Sequence, residues 1–253
     1  MVERFKREVA DDPDASNRRI AAARERAAAE RQARVEAALE KMAELEAAAR
    51  RRAAKAEKKA QAKTAQAAKE REPRASTTDP EARVMKMADG GFRPAYNVQI
   101  ASVPESQIVL AVDPVPSGSD RGLLRPMLET IRRCYNTLPR RHLADAAYGK
   151  KADIEWAHDN GVLVHCPPVK SKHGTDPFAP RPDDTPGVAA WRRRMKSPAG
   201  KGVFKRRALA ECIHARYRQW HLDRLTVRGR AKVRAVMLWF ALANNVLRAQ
   251  ALA

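Results

Sequence analysis

From Asn17 to Glu72 the chain holds neither proline nor glycine, and nearly every residue is Ala, Arg, Glu, Lys or Gln. Alanine and long unbranched side chains lose little freedom in a helix, so this segment has few alternatives to one. Pro13 breaks a short opening helix. Asp14 or Ser16 can cap the next one, because a side-chain oxygen there accepts an orphan amide hydrogen. Val35, Leu39 and Met42 fall at a 4-3 spacing, Leu45 extends that seam crookedly, and no large apolar residue follows until Val84. A seam this short predicts a local helical hairpin or one docking patch. It does not support a long coiled coil, which needs at least three or four heptads. The segment reads as a solvated spacer, or as a basic arm on DNA or in an assembly.

Pro73 to Pro80 is a linker, and beyond it the composition changes. Phe5 is the only aromatic residue before Phe92, and no glycine precedes Gly90. Tyr96, Val98 and Ile100 alternate as in a strand. Gln107 to Val112 is nearly all apolar and predicts a second, central strand, with Pro104-Glu105-Ser106 as the hairpin turn. Leu124, Met127, Leu128 and Ile131 have helical spacing. A short strand over His142–Ala146, a helix over Lys151–Asn160 and a strand over Val162–Cys166 complete a mixed α/β sheet. The proline-rich stretch to Pro186 predicts a mobile loop, and helices follow. In the last helix Val233, Val236, Met237, Phe240, Ala243 and Leu247 form the stripe expected to dock.

The chain carries 50 Lys and Arg against 30 Asp and Glu, a formal charge of +20, which points to a polyanionic partner such as nucleic acid. No run of apolar residues is long enough to span a membrane, and the N-terminus lacks the apolar centre of a secretory signal. Cys134, Cys166 and Cys212 lack zinc-finger spacing and are odd in number, which fits a reducing compartment.

Two acids stand out. Asp145 ends an apolar strand, where side chains of α/β sheets often reach a functional crevice; a helix cap for the Tyr148-Gly149 turn explains it equally well. Glu211 lies in a segment that predicts one continuous helix, with Phe204, Arg207, His214 and Arg218 on its face. An Arg207–Glu211 ion pair is one reading. A metal-holding carboxylate flanked by phosphate-binding cations is the other. Asp113 and Asp120 read as strand-end or turn residues, and His165 with Cys166 as a core pair. Tyr148 and Tyr217 read as packing or phosphate contacts, Trp191 as a helix anchor or a base-stacking platform, and Arg192–Arg194 as a DNA-following or solvated run.

The spacing Phe204-x2-Arg207-x3-Glu211-x6-Arg218 resembles the Tyr-x2-Arg-x3-Glu-x6-Lys signature of bacterial insertion-sequence transposases of the DDE class, with Phe for Tyr and Arg for Lys. Thr77–Ala101, His142–Glu155 and Arg224–Ala249 resemble further segments of those enzymes, and the Ala-rich helix resembles their helical spacer. The resemblance implies a ribonuclease-H-like fold, with a spacer over 1–72, a linker over 73–83 and a catalytic domain over 84–253. It implies that Asp145 and Glu211 are the second and third catalytic acids and hold Mg2+ or Mn2+. Arg207 and Arg218 would contact DNA, with Lys205 and Arg206 as weaker candidates. The implied activity is metal-dependent cleavage and transfer of transposon-end duplex DNA in the bacterial cytoplasm, at the nucleoid, by a homo-oligomer or beside a full-length transposase.

The family's first catalytic aspartate sits on a strand before the spacer, in a segment like Asp-Gly-Thr. No Asp-Gly-Thr occurs here, and the only Asp-Gly is Asp89-Gly90. The expectation is therefore a C-terminal portion, started at an internal Met, with an incomplete sheet and little activity alone. The alternative is an inactive DNA-binding or transposase-binding fragment of a decayed element.

Overall fold

The structure, a computed structural model, describes residues 10, 12, 14–60, 73–87, 89–169, 174–222 and 224–253. They fall into two compact units, 1–94 and 95–253.

The first unit is dominated by α1 (Ala15–Ala60), a single 46-residue helix rather than a helical hairpin. Residues 61–72, expected to continue it, lie outside the described residues. Its short apolar seam is only partly covered: Leu39 is 66% exposed and Val35 40%, while Met42 and Leu45 are half-buried and Ala38 is buried. Pairs such as Glu30–Arg34 and Glu46–Arg50 line its surface instead. Two short strands that the sequence reading did not predict follow, β1 (Arg83–Lys86) and β2 (Phe92–Ala95). Asp89, Gly90 and Gly91 sit in the connection between them, with Gly90 at φ 83°.

The second unit contains two separate two-stranded ladders. In the first, β3 (Asn97–Ser102) pairs antiparallel with β4 (Val109–Val115), with an irregularity at Ala101/Ser102. The turn between them closes as expected, with Val103 N–H donating to Ile108 O at 2.9 Å. The expectation that β4 is central is corrected: among the described residues it pairs only with β3. Its Pro114 has no N–H to offer a further strand. β4 is apolar because helices cover both its faces. On one side α2 (Leu124–Tyr135) brings Met127 and Ile131 against Ala101 and Ala111. On the other, Ile213 and Tyr217 from α6 (Glu211–Gln219) and Met237 and Ala241 from α7 (Arg230–Leu252) pack on Val109 and Val112.

In the second ladder β5 (Arg141–Leu143) and β6 (Leu163–His165) run parallel, joined through α3 (Lys151–Asp159). Leu124 and Leu128 of α2, Ile154 and Ala157 of α3, Val164, and Val188, Trp191 and Met195 of α4 (Pro186–Lys196) form their core. Trp191 is therefore an anchor, 3% exposed, its indole N–H donating to Cys166 O at 2.8 Å. It is not a base platform. Of the arginine run, Arg192 turns inward to Asp184 at 2.7 Å and Arg194 to Val164 O at 3.0 Å, leaving Arg193 exposed.

Ser197 ends α4 and caps α5 (Pro198–Lys205), its hydroxyl accepting Gly200 N–H at 3.0 Å. The elbow requires glycine at 200, since a Cβ there would lie 1.9 Å from Arg194 O. The predicted continuous Glu211 helix is corrected: a 3-10 stretch over Arg206–Ala210 separates α5 from α6. The docking stripe of α7 is also corrected. Val233, Met237, Ala241 and Asn244 are buried, while Leu247 is 49% exposed. Backbone groups at the start of β4 need partners, and polar residues supply them. Asn244 donates to Gln107 O at 2.9 Å, and Asn245 both donates to Val109 O and accepts its N–H, at 2.8 Å each. No helix among the described residues is long and apolar enough to cross a membrane.

Candidate active site

A cavity of about 230 Å³ lies between the two ladders of the second unit. Residues 99–102 of β3 line one side, and residues 141–145 on and after β5 line another. Met127 and Ile131 of α2, and Arg207, Glu211 and His214, complete its wall.

Asp145 lies beyond the end of β5 and opens a 3-10 turn over Ala146–Tyr148. Its side chain makes no capping hydrogen bond, although its backbone carbonyl accepts Tyr148 N–H at 3.0 Å. The carboxylate turns instead to Arg207, whose Nε lies 3.1 Å from Asp145 Oδ1. The same guanidinium reaches Glu211 Oε1 through NH1 at 3.0 Å. One cation thus spans two acids from distant parts of the chain. The three side chains are only part-shielded, at 28% exposure for Arg207, 55% for Asp145 and 60% for Glu211. Ion pairs this open contribute little to stability, about 0–1 kcal/mol each. Two acids facing a cavity in that state are better suited to ligand chemistry than to holding the fold.

The backbone behind Asp145 is pinned from below. The Cys166 thiol, fully buried, donates to Asp145 O at 3.0 Å. Burial, helped by the Asp145 charge, pushes that thiol up to about 12, so it stays a donor. His165 is buried beside it, as the core reading expected. Burial pushes His142, on the cavity wall, down to about 4, so its imidazole is neutral at pH 7. Tyr148 also lines the cavity and donates to Gln99 Oε1. Burial, then the Asp120 charge, push its phenol up to about 12; the Gln99 hydrogen bond opposes this and Asp145 reinforces it.

The structure therefore brings Asp145, Arg207 and Glu211 together. Lys205, Arg206 and Arg218 are exposed and do not line the cavity, and Arg206 pairs with Glu105. Phe204 packs partly buried against the core of the β5–β6 ladder. Asp113 pairs with Arg230 at 2.8 Å, and Tyr217 is buried, stacked on Trp220. The sequence reading missed Asn97 and Gln99. Their signal was available: two amide side chains two residues apart share one side of a strand otherwise apolar.

Oxygen donors of Asp145 and Glu211 suit a hard divalent cation, which takes a few carboxylates and completes its shell with water and phosphate oxygens. Among the described residues no group of three or more His, Cys, Asp or Glu comes together that could hold a metal alone.

A two-acid cavity at a strand end, beside a basic helix in an α/β unit, defines a candidate phosphoryl-transfer site. The family model for the transposase DDE domain matches residues 58–246, and the chain belongs to that family. Its general function is thus DNA transposition. No curated protein and no solved structure matches the chain.

Proposed function

We propose that Asp145 and Glu211 hold Mg2+ or Mn2+ for phosphodiester cleavage and strand transfer on transposon-end duplex DNA, within a ribonuclease-H-like sheet. The observation that carries this reading is the convergence of both acids on Arg207 at one cavity. A divalent cation held by Asp145 and Glu211 would supply Lewis-acid stabilisation of the charge that develops in phosphodiester cleavage. This chain's residues do the rest. Asp145 and Glu211 supply oxygen donors, and Arg207 offsets their mutual repulsion. Arg207 and Arg218 contact DNA phosphates, with exposed Lys205 and Arg206 adding attraction. The net charge of +14 on residues 79–253, against +6 on residues 1–78, places most of the counter-charge in the part that holds the site.

Isothermal titration of Mn2+ tests the reading, with and without a 30-base-pair duplex. Wild type binds Mn2+, and Asp145→Ala and Glu211→Ala each abolish that binding while keeping the thermal midpoint. Unchanged Mn2+ binding in both variants overturns it. DNA affinity falls steeply as salt rises, because phosphate contacts release counterions.

A second reading is a DNA-binding or transposase-binding chain without cleavage of its own. It is favoured by one observation: no third acid joins the pair among the described residues, since Asp113 is engaged by Arg230 and Asp120 by Asn97 and Gln99. On this reading the isolated chain binds duplex DNA and cuts little of it. Robust Mn2+-dependent double-strand cleavage by the chain alone discards it.

A further inference from the structure

The two acids are carried by different halves of the second unit. Glu211 begins α6, which packs on β4 through Ile213 and Tyr217. Asp145 projects beyond β5. Among the described residues no ladder joins β3 to β5, so backbone pairing does not set the spacing of the two carboxylates. α2 packs on both halves, through Met127 and Ile131 on one and Leu124 and Leu128 on the other, and leaves the spacing at the site itself to polar contacts.

A chain of side-chain hydrogen bonds runs across that gap. Asp120 Oδ1, in the loop before α2, accepts from Asn97 Nδ2 at 2.7 Å and from Gln99 Nε2 at 3.0 Å. Gln99 Nε2 also donates to Asn97 Oδ1 at 2.9 Å. An ionised carboxylate only accepts, so both amides must turn their NH2 groups toward Asp120. This decides which end of the Gln99 amide faces the opposite half. It is the carbonyl oxygen Oε1, and it accepts the Tyr148 hydroxyl. Gln99 is 5% exposed, too buried for water to replace these partners freely. Tyr148 closes the turn that Asp145 opens, its N–H on the Asp145 carbonyl. The order is therefore Asp120, then Asn97 and Gln99, then Tyr148, then the Asp145 turn.

We propose that Asp120, Asn97 and Gln99 are positioning residues that hold Tyr148, and through it Asp145, at the spacing from Glu211 that a shared cation needs. The proposal rests on the reading of Asp145 and Glu211 as a metal-holding pair. None of the three residues lies on the reacting atoms. Their effect passes through the orientation of one amide and one phenol. Partners of this kind, one step removed from a ligand, change metal affinity by about 10–100-fold when lost.

The test uses the full chain with Asp120→Asn, Tyr148→Phe and the double variant. Two quantities are read: backbone amide exchange at Ala147, Tyr148 and Gly149 without metal, and Mn2+ affinity by paramagnetic resonance of the free ion. Asp120→Asn should speed exchange of the turn and weaken Mn2+ by about tenfold. Tyr148→Phe should do the same, and the double variant should be no worse than the poorer single, because one chain is cut twice. Exchange and Mn2+ affinity within twofold of wild type for Asp120→Asn overturn the proposal, as do fully additive losses. Should Asp120→Asn fail to fold, Tyr148→Phe removes a single hydroxyl, and its exchange rates alone decide the matter. Asp145→Ala separates the two levels. If it binds Mn2+ like wild type, the metal reading fails, while the amide exchange still decides whether the relay holds the turn.

Discussion

Glu30–Arg34 on α1 and Arg207–Glu211 ahead of α6 have the same four-residue spacing and opposite meanings. The α1 pair is 3.7 Å apart and belongs to a helix whose apolar seam leaves Val35 and Leu39 exposed. The second pair is 3.0 Å apart, and its guanidinium also holds Asp145, which comes from a distant part of the chain. The Glu30–Arg34 pair stays within one helix. Around Arg207 a charge meets another part of the fold. A four-residue spacing thus looks helical in both places, and a third partner from elsewhere turns one of them into a candidate site.

The contrast can be broken first at its foundations. Leu128 is fully buried between α2 and the β5–β6 ladder, so Leu128→Ala should cost about 2–5 kcal/mol in thermal or urea unfolding. Leu39→Ala on α1, at an exposed position, should stay within about 0.5 kcal/mol. Equal costs would mean that α1 is packed as tightly as the second unit.

The cavity wall should respond to acid. The folded pKa of His142 is depressed to about 4 from 6.5. As pH falls from 6.5 to 4 the unfolded chain takes up a proton that the folded chain refuses, so stability drops through that window. The slope from this group can reach about 1.4 kcal/mol per pH unit. His142→Gln should flatten the melting-temperature profile between pH 6.5 and 4, and an unchanged slope would move its origin elsewhere.

Smaller effects separate the two ion pairs themselves. Arg207→Ala removes a cation competing for both acids, worth about 1 kcal/mol for part-exposed groups. Mn2+ binding should therefore tighten roughly fivefold while DNA binding weakens. Arg34→Ala should change neither quantity and should shift stability by less than about 0.5 kcal/mol, measured in the same titrations.

Much of this was legible in the residues. Alanine and long charged side chains announced α1, and the 3-4 spacing of Leu124, Met127, Leu128 and Ile131 announced α2. The spacing around Glu211 singled out Arg207 as its neighbour. Other features were hidden for physical reasons. The apolar run of β4 signals two covered faces, and cannot say whether both edges are paired. The 3-10 stretch at Arg206–Ala210 preserves the Arg207–Glu211 contact, so the spacing looks helical throughout. The polar end of α7's stripe, Asn244 and Asn245, answers to backbone groups of the β3–β4 hairpin, far away in sequence.

By itself the sequence determined most of the helices and the four strands of the second unit, where the excess positive charge lies, and which two acids deserved attention. Those are consequences of local spacing, propensity and motif. Only the tertiary structure decided that Asp145 and Glu211 share one guanidinium, that Trp191 is buried, and that Asp120 reaches Tyr148 through Asn97 and Gln99. Each depends on residues from separate elements meeting across a core. No local pattern encodes such a meeting, because it is set by how helices pack on two short ladders.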